Sequence, residues 1–146
     1  MTVAEYKAIL SMLELIQQEA YSKYTNKYMQ QFNAQGGNMG PLSEPVPFQP
    51  RIQYMAPLED VVVEAIQETN IAFVYQLNHA ITFRAKLPQN QPSQRSAYQM
   101  IVDGLNYMAD MVSEMRGQVV PMLPNNATTQ QIVAFLQSIL SILKLL

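Results

Sequence analysis

Between Phe32 and Ala56 the chain reads FNAQGGNMGPLSEPVPFQPRIQYMA, and this stretch limits most sharply what the protein can fold into. It carries Gly36, Gly37, Gly40, Pro41, Pro45, Pro47 and Pro50. Each proline removes a backbone donor and drives the residue before it toward extended geometry. The spacing therefore predicts neither a helix nor an ordinary strand, but an extended or irregular arm. Arms of this length are uncommon inside compact domains and usually serve a function or stay unfolded. The rest of the chain is too small to bury it, so a partner chain or a nucleic acid is its natural surface. The arm reads as a binding element.

On either side of the arm the apolar residues recur at helical spacing. Thr2 and Glu5 form a candidate capping box, followed by Ile9, Leu13, Ile16, Ala20 and Tyr24 on one stripe, which predicts a helix to about Gln31. Pro57 suits a first helical position, with Glu59 and Asp60 at the positive helix end, and Val62, Ile66, Phe73, Leu77 and Ile81 give a second helix ending before Pro88. A third is expected from a Ser93 cap, through Met100, Ile101, Leu105, Met108, Met111, Val112 and Met115, to Gly117 or Pro121. Thr128 and Gln131 make a second candidate capping box for a last helix with Ile132, Phe135, Leu136, Ile139, Leu143 and Leu146 on one face. Its apolar stripe is wide enough to suggest a central bundle helix or one shared between subunits, with a lipid surface as the lesser alternative. The expected fold is all-α: a long N-terminal helix and extended Pro/Gly-rich arm (1–56), then a compact C-terminal helical bundle (57–146).

The composition narrows the function. Charged residues are only 14% of the chain, against roughly 25% in ordinary soluble domains, and the surface this implies favours association. There is no cysteine, hence no thiol nucleophile or disulfide framework, and the N-terminal sequence lacks the pattern of a signal peptide. The single histidine, His79, has no partner in view and reads as a structural residue. Asp60, Glu64 and Glu68 lie on one helix face at i, i+4, i+8, but the Glu-x-x-His pattern of a bundle metal site is missing, so the row reads as a solvated or interface stripe. GGNMG follows no strand and precedes prolines, so it is a hinge, not a phosphate loop. No enzyme, metal or cofactor is expected.

The distribution of charge says more than the net value of −2. No acid falls between Glu19 and Glu44, where Lys23 and Lys27 lie, or between Glu68 and Asp103, where Arg84, Lys86 and Arg95 lie. Such windows suit a polyanion, with the acidic stretches turned away from it. In the first window Tyr21, Tyr24 and Tyr28 follow i, i+3, i+7 beside Lys23 and Lys27. Lysine, tyrosine, serine, threonine and amide donors together contact phosphate oxygens without reading base sequence. A tyrosine stripe packed on a neighbouring helix is the competing reading.

A long polar N-terminal helix, a Pro-rich wrap and a C-terminal half running AYQMIVDGLNYMADMVSEM, a Pro/Asn break and a last apolar helix together resemble the major coat proteins of filamentous and rod-shaped archaeal viruses. The resemblance implies an all-α virion protein that coats linear double-stranded DNA, held in the A-form, and that pairs with a paralogous coat subunit or with itself. It implies duplex contacts from Tyr21, Lys23, Tyr24, Lys27 and Tyr28, with Arg51, Arg84, Lys86 and Arg95 as further candidates. It also leaves room for lipid-envelope contact through the C-terminal helix. Members of that family tend to be basic and this chain is slightly acidic, so a more basic paired subunit belongs to the expectation. A helical adaptor whose arm docks on a protein partner is the alternative.

Overall fold

The computed structural model describes residues 1–34, 57–76 and 96–146, with the side chains of 21, 23–34 and 74–76 outside that description. Four helices account for most of it: α1 (Val3–Ala34), α2 (Leu58–Gln76), α3 (Ala97–Arg116) and α4 (Thr129–Leu145). No strand occurs among the described residues, and the fold is all-α.

Short-range chemistry sets the helix starts. Thr2 Oγ1 accepts from the Glu5 backbone N–H at 3.1 Å while Glu5 Oε1 accepts from that of Thr2 at 2.9 Å, completing the first capping box. The second closes in the same way, with Gln131 N–H on Thr128 Oγ1 at 3.1 Å and Thr128 N–H on Gln131 Oε1 at 2.7 Å. Each satisfies two orphan donors of a helix end. The α3 cap is Ser96 rather than Ser93: its hydroxyl accepts from Gln99 N–H at 3.2 Å. Pro57 sits just before α2, and its carbonyl accepts from Asp60 and Val61. α3 stops at Gly117, whose φ of 73° is the left-handed geometry that glycine adopts without a Cβ penalty.

All four helices start at one end of the molecule. The Met1 ammonium lies 3.2 Å from Glu59 Oε1, joining the starts of α1 and α2. The Thr129 side chain comes near enough to the Glu5 carboxylate to help lower its pKa, which joins the starts of α4 and α1. Tyr98, one turn into α3, donates to the Ala127 carbonyl immediately before α4. Because α1 packs extensively on α2 and α4, and α2 on α3, helices that share an end in this way run parallel. Parallel helices do not cancel one another's dipoles, and the first-turn acids Glu5, Glu59 and Asp60 and last-turn cations Arg116 and Lys144 offset them locally.

Parallel order requires the chain to return after each helix. After α3 that return is a strap held along the helix itself. Val120 N–H bonds Ser113 Oγ at 2.8 Å, and Asn106 grips Leu123 twice, accepting its N–H at 2.7 Å and donating to its carbonyl at 3.1 Å. Val120, Leu123 and Ala127 turn inward while Val119 and Met122 face out.

The core joins Tyr6, Ile9, Leu13, Ile16 and Ala20 of α1 to apolar residues of the other helices and the strap. The most enclosed helix is α2, where Val61, Val62, Val63, Ala65, Ile66, Thr69, Asn70, Ala72 and Phe73 are all buried. Within the subunit α4 is therefore an outer helix rather than the central one: Ile132, Phe135, Leu136, Ile139 and Leu143 pack inward, but Gln130, Gln131, Gln137, Ser138, Ser141 and Lys144 face solvent. Leu146, expected on the buried face, lies past the helix end and is 47% exposed. Tyr24, Leu77, Ile81 and the end of the second helix before Pro88 lie outside the described residues or side chains.

Candidate nucleic-acid interface

The helices start level, and their described lengths differ. α1 has 32 residues against 19, 20 and 17 in α2, α3 and α4. At about 1.5 Å per residue, α1 runs to ~48 Å and the others to ~26–30 Å. From about residue 21 onward, α1 therefore passes the described ends of its neighbours. Tyr21, Lys23, Tyr24, Lys27 and Tyr28 all fall on that continuation. The backbone thus brings these five candidates onto one helical segment, while their side chains lie outside the description. Arg51, Arg84, Lys86 and Arg95 lie outside the described residues altogether, as does His79.

Acids and bases separate along the chain. Ten of the eleven acids, all except Glu44, lie on α1 up to Glu19 or on α2 and α3, where Lys7 and Arg116 are the bases, and α4 adds Lys144. Those stretches carry a formal −7, and the other six bases (Lys23 and Lys27 further along α1, Arg51 between α1 and α2, and Arg84, Lys86 and Arg95 between α2 and α3) with Glu44 carry +5, which together give the chain's −2. The acid-free windows were visible in the sequence. That the acids belong to the packed bundle became visible only once the packing was known.

Two acidic groups of the bundle, Glu5 and Tyr107, have shifted titration. The Glu5 carboxyl is held below its ordinary value, first by the Thr2 backbone N–H and then by the Thr2 and Thr129 hydroxyls. Burial pushes the Tyr107 phenol up to about 12, and the Asp110 carboxylate adds to the effect. Glu5 closes a helix cap and Tyr107 is 8% exposed in the core wall. In the carboxylate row, Asp60 is exposed and Glu64 and Glu68 are half-buried. Among the described residues no three histidine, cysteine or acidic side chains come together as metal ligands. A notch of about 110 Å³ between α3 and the strap is lined by Gln99, Val102, Asp103 and Asn125, too small for a drug-sized ligand. No described helix is long and apolar enough to cross a membrane.

Comparison with known protein families, curated proteins and solved structures finds no match to this chain.

Proposed function

We propose that the chain is a non-catalytic coat subunit of a helical nucleoprotein filament in a virion. In this reading it wraps linear double-stranded DNA, in the A-form, through the far part of α1 and the arm, and works as a pair with a related coat protein. The observation that supports it is the charge division: an acidic packed bundle, with six of nine basic residues on the continuation of α1 or in the two connecting stretches. Phosphate contact supplies most non-specific affinity, and an acidic bundle is repelled from the duplex, so this division orients the subunit on DNA. The resemblance to archaeal filamentous-virus coat proteins points the same way.

Replacing Lys23 and Lys27 with Gln tests the reading. Both substitutions remove charge and keep helix propensity. Duplex affinity should fall alike for every sequence, and the salt slope should shrink by roughly 0.9 for each lost phosphate contact. The titration is run with and without a candidate paired subunit, and circular dichroism should be unchanged. Unchanged affinity and slope, or no duplex binding under either condition, would replace the coat reading with that of a protein–protein adaptor.

A further inference from the structure

The strap between α3 and α4 follows a period of three. Val120 and Leu123 are buried, whereas Gln118, Val119, Pro121, Met122, Pro124 and Asn125 are exposed, so every third side chain turns inward. A strand would alternate with a period of two. A 3₁₀ helix shares the period of three but is held by i→i+3 backbone bonds, and residues 118–123 make no backbone–backbone hydrogen bond with the described residues. Three residues per turn without internal hydrogen bonds is the signature of polyproline II, which the fixed φ of Pro121 and Pro124 favours. The anchors fit its rise. Ser113 and Asn106, seven residues apart on α3, are separated by about 10 Å along the helix. They hold Val120 and Leu123, three residues apart, which polyproline II separates by about 9 Å and a 3₁₀ helix by only about 6 Å.

We propose that the outward side of this strap, formed by Val119, Pro121, Met122 and Pro124, is a ligand for a protein module whose groove is lined by aromatic side chains. Such grooves take Pro-x-x-Pro segments, here Pro121 to Pro124, by stacking aromatic rings against them. A segment already held in polyproline II by Ser113 and Asn106 loses little chain entropy on docking. Val119 is 84% and Met122 56% exposed, so the two prolines lie beside apolar surface that the bundle leaves uncovered. No charged residue lies between Arg116 and Lys144, so the segment offers neither an ion pair nor a phosphate contact, and recognition is apolar. The site uses none of the residues assigned to the duplex. It holds for a coat subunit and for an adaptor alike, and fails separately from either reading.

Titration of a panel of purified SH3 and WW domains with the full chain tests this assignment. The chain has no tryptophan, so the tryptophan fluorescence of the domains' grooves reports binding without background. At least one domain should bind, with an affinity that is equal at low and high salt, unlike that for a duplex. An excess of a synthetic Pro-x-x-Pro peptide should displace the chain. Pro121→Ala and Pro124→Ala alter exposed sites and should keep the helicity, yet each should lower affinity roughly tenfold, as for a contact at the centre of an interface. Absence of binding across the panel, unchanged affinity in both variants, or binding that the peptide does not displace would each overturn the proposal.

Discussion

Gly104 lies where α3 presses most closely on α2, and replacing it with alanine exposes what that contact is worth. A Cβ built there falls 2.7 Å from Ile66 Cγ2, well inside van der Waals contact. Ile66 is 1% exposed and β-branched, so its side chain has little freedom to turn away. Asn70, one turn further along α2, donates from Nδ2 to the Gly104 carbonyl at 3.0 Å, while its Oδ1 has no hydrogen-bond partner. Moving the helices apart to admit a methyl group stretches that bond and leaves a second polar atom of a buried amide unsatisfied. Overpacking of this kind costs about 1–3 kcal/mol, and a lost buried hydrogen bond about 1 kcal/mol more. Alanine recovers about 1 kcal/mol in helix propensity. The expected net loss is about 1–3 kcal/mol, read as a lower urea midpoint at constant m-value. The Ile66→Ala background removes the obstructing Cγ2, and there Gly104→Ala should turn neutral or stabilising. Equal or greater stability of Gly104→Ala in the wild-type background would refute the close-contact argument.

Two further perturbations follow from the same geometry. Asn106→Ala removes both hydrogen bonds to Leu123 and should cost about 1–3 kcal/mol in chemical denaturation, with faster amide exchange confined to the strap as the local signature. Tyr107 gives a pH dependence: its phenol titrates at about 12 when folded and near 10 when unfolded, so the unfolded chain releases the proton first. Its contribution to stability is therefore complete below about pH 10 and is lost as pH rises through 12, and Tyr107→Phe should decline less steeply across that window in urea titrations. An identical decline in the two proteins would show that burial of this phenol does not matter.

The coat reading turns on a different kind of feature from these packing contacts. A subunit that encloses a duplex needs one surface that accepts phosphates and others that join subunits. The low total charge of this chain, at 14%, is compatible with both only if the cations are grouped. Lys23 and Lys27 stand together on one uninterrupted helix, on the part of α1 beyond the described ends of α2, α3 and α4.

The helices themselves were legible in the sequence because the interactions that start and stop them span three or four residues. The capping boxes Thr2–Glu5 and Thr128–Gln131, the glycine stop at Gly117 and the inward stripes Ile9–Leu13–Ile16 and Ile132–Phe135–Leu136–Ile139 could all be read from local spacing. Ser93 was preferred over Ser96 because both are plausible caps, and local pattern does not choose between two hydroxyls one turn apart. The candidate interface was legible as composition: the tyrosines and lysines of α1 announced themselves, and their relation to the bundle did not. Tertiary structure alone decided that the helices run parallel, that α2 rather than α4 is most enclosed, and that Asn106 holds a strap 17 residues away. The physical reason is that apolar periodicity fixes which face of a helix is buried but not against which neighbour or in which direction. Those choices are made by contacts such as Asn70 to Gly104, 34 residues apart, whose energies exist only after the chain has closed on itself.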